Sequence, residues 1–289
     1  MHRLTIRLGI WTILGTVILS TACSQNPKDY GSPKGYNMNE PKKFVMPQSL
    51  HEISGIAFNQ GNSDTIYAEQ DEEGRLFFLK PGDKRAVSFK FGKHGDYEDV
   101  AVCNNYVILL RSNGTLYTFP LSDIHSEESD NVKELKDLLP EGEYEGMWAD
   151  EKNKLLYVLC KHCSDEKTSK IAKGYILQMA GDGTIAQSSS FVFDVKEIET
   201  ITGIKKINFH PAALAHNPRT SEWYIISSVN KILVITDSNW KVKEAYRLNP
   251  ALYIQPEGMA FDKEGNLYIA NEGGDIHSGN VLKIRYSGK

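Results

Sequence analysis

The feature that most restricts this chain is a unit that recurs five times along it. Short apolar segments open each copy: "SGIAF" at Ser54, "EDVAV" at Glu98, "EGMWA" at Glu145, "AALAH" at Ala212 and "EGMAF" at Glu257. A turn rich in Asn, Asp, Gly and Lys follows, then an apolar run carrying an aromatic at Tyr67, Tyr106, Tyr157, Tyr224 and Tyr268. A third run completes the copy: "GRLFFLK", "GTLYTFP", "GYILQMA", "NKILVIT" and "NVLKIRY". Runs this short, rich in Val, Ile, Leu, Tyr and Phe and bounded by turn formers, are antiparallel strands. The one later segment with some helical periodicity is "NVKELKDLLP", before Pro140.

The opening positions lie 44, 47, 67 and 45 residues apart. About 40 to 50 residues for a four-stranded unit is the requirement of a β-propeller blade. The expected fold is therefore all-β, a β-propeller of five blades. The long interval after Glu145 leaves room for a sixth around "SSSFVFDV", although its roughly twenty surplus residues fit an insertion better than a blade. The last copy lacks an outer strand, while "KKFVMP" at Lys42 to Pro47 is unclaimed. The N-terminal strand is thus expected to close the last blade and remove both open edges, placing the propeller at residues 42–289.

In such a ring the first residue of each innermost strand and the loop after each second strand lie on one face, around the channel. Ser54, Glu98, Glu145, Ala212 and Glu257 would form an inner ring there. Asp71, Arg111, Lys161, Asn230, Asn271 and Glu272 would form an outer one. Pro256 and Gly258, on either side of Glu257, read as the turn that brings the strand to the channel. Carboxylates crowded into a narrow channel repel one another, and desolvation raises their pKa values further. Something must compensate. One solution is a hard cation with oxygen ligands, Ca²⁺ before Mg²⁺, held by Glu98, Glu145, Glu257 and Asn271. Zinc is disfavoured because the ring contains no His. Asp71, Arg111, Lys161, Asn230 and Glu272 would then face a ligand. The alternative is structural: the glutamates lock neighbouring blades by accepting backbone N–H bonds and pairing with Arg111 or Lys161.

The N-terminus, "MHRLTIRLGIWTILGTVILSTAC", has a basic start, an apolar run from Leu8 to Leu19 and small residues before Cys23. It reads as a signal peptide over residues 1–22. Ending in Cys, it resembles a bacterial lipoprotein signal, which implies lipidation of Cys23, although the leucine stands at Leu19 rather than three residues before the Cys. Residues 23–41 carry Pro27, Pro33 and Pro41 and almost no aliphatic side chain, and read as a flexible tether. The implied setting is the cell envelope, with Ser24 leaning toward the outer membrane by lipoprotein sorting rules. With 33 basic and 37 acidic residues the chain lacks the basic excess of a nucleic-acid binder.

"CKHC" places Cys160 and Cys163 on the channel face, where an oxidising compartment favours a local disulfide over a zinc or thiol-exchange site. Cys103 reads as a small buried side chain. His210 and His216 are too far apart along a strand to share a ligand; His210 opens its copy on the channel face, where a core or capping role is expected ahead of a catalytic one. Phosphate-cradling glycine loops, H-E-x-x-H pairs and nucleophile elbows are absent from the sequence.

Taken together, "HEISGIAF", "DEEGRLFFL", "GDYEDVAV", "EGEYEGMWAD", "FHPAALAHNP", "SSVNKILVI" and "QPEGMAFDKEGNLYIANEG" resemble the SdiA-regulated family of bacterial β-propeller proteins, over roughly Lys42 to Lys289. The resemblance implies an exported, often lipid-anchored propeller, distantly similar to calcium-dependent lactonase and phytase propellers. In those, channel-facing Glu, Asn and Asp hold a calcium ion that polarises an ester carbonyl. Glu98, Glu145 and Glu257 match in type and position, with Asn271 as a neutral ligand. Ala212 departs from that pattern, and no blade supplies an unambiguous channel His as base. Two functions follow as expectations: a membrane-anchored binding module for a small molecule or protein at the channel face, or a calcium-dependent hydrolase of lactones, esters or phosphate esters at the same site.

Overall fold

A computed structural model describes residues 30–126, 129–164 and 170–288. The expected signal peptide and Cys23 lie outside these residues. Twenty strands form five antiparallel four-stranded sheets. The chain first lays down β1 (Lys42–Val45) and then four blades in sequence. Blade one holds β2 (Ile53–Ala57), β3 (Ile66–Gln70), β4 (Arg75–Leu79) and β5 (Val87–Lys90). Blade two holds β6 (Tyr97–Cys103), β7 (Tyr106–Arg111), β8 (Leu116–Pro120) and β9 (Lys133–Leu135). Blade three holds β10 (Gly142–Asp150), β11 (Leu155–Cys163), β12 (Ile171–Met179) and β13 (Ile185–Asp194). Blade four holds β14 (Ala213–His216), β15 (Trp223–Ser227), β16 (Ile232–Thr236) and β17 (Val242–Arg247). The fifth is composite: β18 (Pro256–Phe261), β19 (Leu267–Asn271), β20 (Asn280–Ile284) and, returning from the N-terminus, β1. Lys42 pairs with Lys283 and Val45 with Asn280, so the ring closes by hydrogen bonds between the two ends of the chain, as expected.

The sequence pattern explains the strand placement. The middle strands of a blade are covered on both faces by neighbouring blades, so they read as unbroken apolar runs such as "WYIIS" and "ILVIT", every residue buried. Outer strands are half-solvated, as in "VKEAYR". Five hydrophobic clusters result, one at each junction between adjacent blades. Turn chemistry fits as well. Asn104 and Asn105, with φ of 51° and 62°, join β6 to β7 in a two-residue turn of the type that matches strand twist.

Two expectations change. "SSSFVFDV" is the outer strand of blade three, not a sixth blade. The surplus goes into the long strands β12 and β13 and a helix, α1 (Val195–Thr202), that sequence periodicity missed. Asp194 caps α1 by accepting from Lys196 N (2.8 Å), and Gly203 ends it at φ 69°. "NVKELKDLLP", in turn, forms β9 and turns, not a helix. The tether also stops earlier than expected. Tyr36 and Met38 are buried between blades four and five, where Tyr36 OH donates to Gly265 O (2.8 Å) and Tyr253 OH to Met38 O (2.7 Å). Two large side chains anchor a segment that its aliphatic content alone would leave unfolded. No helix among the described residues is long and apolar enough to cross a membrane.

Candidate functional site

The inner strands β2, β6, β10, β14 and β18 line the channel, and four of them begin with a register irregularity. It falls between Ile53 and Ile56, Tyr97 and Asp99, Tyr144 and Met147, and Pro256 and Gly258. These are the places of Ser54, Glu98, Glu145 and Glu257. A bulge leaves its extra residue out of the ladder and re-aims its side chain. In blade four the ladder starts only at Ala213, which pairs with Ile226, and Ala212 N also reaches Ile226 O (2.8 Å), so Ala212 stands just outside the ladder at the corresponding place.

In blades one, three and five, though not in blade two where Asp99 follows Glu98, glycine follows the bulged residue for a reason other than a turn. Pro256 and Gly258 both lie within β18, and a Cβ on Gly258 would collide with Ser54 O of blade one. A Cβ on Gly55 would strike Asp99 of blade two, and one on Gly146 would sit 3.0 Å from Leu214 N of blade four. The "EG" signature therefore marks where adjacent inner strands approach most closely.

Around this mouth the charge is unbalanced. Burial, then Glu145 and Asp96, push the Glu98 carboxyl up to about 9 against the pull of Lys161. Glu257 is likewise raised to about 9, first by burial and then by Glu272. The Glu272 carboxylate faces Glu257 and disfavours its ionisation, while Ser54 Oγ donates to Glu257 (3.4 Å). Gln255 Nε2 donates to the other side of Glu272 (2.5 Å). Asp71 is raised to about 6 by burial, with Glu52 and Glu272 adding to it. Glu145 stands apart: burial raises it, but Lys161 pairs with it and with Glu143 (2.9 Å). Lys161 is thus held protonated by the two carboxylates, which outweigh its burial.

The expected residues do not form one cluster. Arg111 lies with its guanidinium 5.7 Å from the Tyr97 ring centre, and Asn230 closes the turn after β15 with Ser227 Oγ (2.7 Å). Asn271 is fully buried, donating to Asn280 Oδ1 (3.2 Å) while its own Oδ1 has no partner. Asp71 Oδ1 and Glu69 Oε2 are buried and unpartnered too. Cys160 and Cys163 are joined by a disulfide within the end of β11 that carries Lys161 and His162. Among the described residues no three His, Cys, Asp or Glu side chains converge so as to hold a metal ion.

Sequence reasoning missed two buried carboxyls. Asp99 accepts from Val100 N (2.8 Å) and from Met147 N of the next blade (2.6 Å), and Glu69 accepts from Gly55 N (2.5 Å). The blade-locking role considered for the bulged glutamates belongs to Asp99. Also missed was an imidazole pair. His162 and His210 stand 4.5 Å apart, with His162 Nδ1 2.7 Å from Glu143 and His210 Nε2 2.6 Å from Asn208 Nδ2. Burial and then His162 lower the His210 pKa, so that ring is neutral near pH 7. His216 sits at the other end of the channel, and Cys103 is buried as a free thiol.

A family model described as SdiA-regulated matches residues 32–274. Among curated proteins none matches by sequence. Solved propellers share the fold at low identity. Glutaminyl cyclase of Myxococcus xanthus is 14% identical with a TM-score of 0.55, over 84% of this chain and 94% of that one. The PQQ-bound aldose sugar dehydrogenase of Streptomyces coelicolor is 11% identical with a TM-score of 0.54, over 85% and 98%. Regucalcin of Agrobacterium tumefaciens, described as a calcium-binding protein, is 12% identical with a TM-score of 0.50, over 88% and 96%.

Proposed function

Since the chain belongs to the SdiA-regulated family and folds as its five-bladed propeller, we propose that it is an extracytoplasmic binding module whose acidic channel mouth takes a cationic ligand. One observation carries the reading. Glu98 and Glu257 are partly buried at bulges, both raised to about 9, and neither forms an ion pair among the described residues. A cation would supply the missing charge, and the unpartnered oxygens of Asn271 and Asp71 would accept its hydration shell or its hydrogen bonds. The donors are all oxygen, which favours a hard ion, and calcium is the one proposed. As placed, the carboxylates do not form a tight cage, so the ion would keep part of its water. Regucalcin's description as calcium-binding agrees with this choice, at the level of a shared fold. Lipid on Cys23 would hold the module to an envelope membrane, the outer one by the sorting rule. A small molecule or protein would complete the ligand at the channel face.

A second reading, calcium-dependent hydrolysis of a lactone, ester or phosphate ester, gains one observation. The neutral His210, tilted 50° against His162 at 4.5 Å, is an imidazole base on the channel face. Isothermal titration with calcium chloride tests the first reading: a saturable heat in the native protein, lost in Glu257→Gln, is expected. Equal heats in both would refute it. Turnover of simple lactones or phosphate esters that disappears in His210→Ala would move the assignment to the second.

A further inference from the structure

The face of the ring opposite the acidic mouth holds a cleft that the cation site does not use. β6 runs away from the mouth, so the turn at Asn104 and Asn105 that joins it to β7 lies on that far face. Beside this turn is an open cleft of about 900 Å³, lined chiefly by blades one and two, with Gly181 of blade three. Small-ligand sites run from about 300 to 1,000 Å³, so the cleft has the volume for a molecule of more than one ring.

The lining is selective in its chemistry. Although 24% of the chain is charged, the cleft contains no Asp, Glu, Lys or Arg, and an ion entering it would lose hydration without gaining a partner. Two carboxylates touch lining residues, and both are engaged: Asp123 accepts from Ser122 (3.1 Å) and Asn131 (2.8 Å), and Glu151 accepts from Asn104 N (2.7 Å). His125, exposed, stands edge-on to Phe78 (6.3 Å between centres, 90°). What the cleft offers is ring faces and neutral polar groups. Tyr67 and Phe78 face each other across β3 and β4, half-buried, with centres 6.5 Å apart and planes tilted by 33°. Tyr106 is seated on Gly183 of blade three, where a Cβ would come within 2.5 Å of the ring. The hydroxyls of Tyr67 and Tyr106 and the side-chain amides of Asn104 and Asn105 make no hydrogen bond among the described residues. Amides and phenols both donate and accept.

A hydrocarbon would leave those polar groups unpaired, and a charged ligand would find no counter-charge. Apolar C–H faces edged by hydroxyls satisfy both halves of the lining, and that is the chemistry of a sugar. We propose that this cleft is a second binding site, for a neutral oligosaccharide whose ring faces lie on Tyr67 and Phe78 and whose hydroxyls bond to Asn104, Asn105 and Tyr106. The test is isothermal titration with maltose, cellobiose and N,N′-diacetylchitobiose in calcium-free buffer, so that the outcome does not depend on the acidic mouth. At least one sugar is expected to bind saturably at one site per chain. Tyr67→Phe with Asn105→Gly removes a hydroxyl and an amide but keeps the ring and the left-handed turn, and is expected to weaken that sugar roughly tenfold while cooperative melting is kept. No saturable heat from any of the three sugars, or equal affinity in the native and double-variant proteins, would overturn the proposal. So would a proline-rich peptide binding the cleft when none of the sugars does.

Discussion

Gly258 shows how much a single residue fixes here. Its missing Cβ leaves room for Ser54 O of the first blade, so Gly258→Ala presses two inner strands apart at the seam where the ring closes. Overpacking of this kind costs about 1–3 kcal/mol, and a lower melting temperature for the variant is the expected readout. The bulged glutamates act in the opposite sense, on charge. Glu98 and Glu257 have ordinary values of 4.5 and folded-state values of about 9, so the folded protein binds more protons than the unfolded chain between those limits. Their contribution is most favourable below pH 4.5 and is lost as pH rises toward 9. The metal-free protein should therefore lose stability across pH 5 to 9, and the loss should shrink in the Glu98→Gln/Glu257→Gln double variant. Melting curves over that range check it; parallel profiles for the two proteins would contradict it. The ring of glutamates was legible in the sequence because its positions repeat. Asp99 and Glu69 were not, because their role depends on register: which carboxyl turns inward to meet a backbone N–H is set by the neighbouring strand, and no repeat signals it.

At the scale of elements, the strand that matters most is the one furthest from its partner in sequence. β1 supplies the outer edge of the last blade through pairing with β20, and the segment before it inserts Tyr36 and Met38 between blades four and five. A chain starting at Met46 would expose the β20 edge and open that core, and is expected to aggregate rather than melt cooperatively; size-exclusion chromatography and thermal unfolding decide. The closing strand could be read from the sequence because a ring leaves no unpaired run. Its anchor could not: Tyr36 and Met38 sit among Pro, Gly and Asn, and a composition rule weighs the average rather than two well-placed side chains. α1 escaped for a related reason. With eight residues it has little periodicity of its own, and its position depends on packing against β17, where Val242 N donates to Glu197 (2.9 Å).

The whole molecule is a short tube with unlike ends. One mouth gathers partly buried carboxyls at strand bulges, with Lys161 paired to Glu145 and Glu143, and the other is a cavity floored by Ile56, Val100, Met147 and Met259. The fold explains why residues so distant in sequence meet: each blade contributes the same structural position, so whatever chemistry that position carries is multiplied around the axis. It also explains what a list of repeats could not convey. Equivalent positions diverge in their partners, so Glu145 is a salt-bridged residue while Glu98 and Glu257 form no ion pair among the described residues. That difference is the basis of the proposed cation site, and the melting temperature at pH 8 with and without calcium chloride tests it most directly. Calcium is expected to raise the native melting temperature, with the rise abolished in Glu98→Gln/Glu257→Gln. A native melting temperature that calcium leaves unchanged, or a rise of equal size in the double variant, would contradict it.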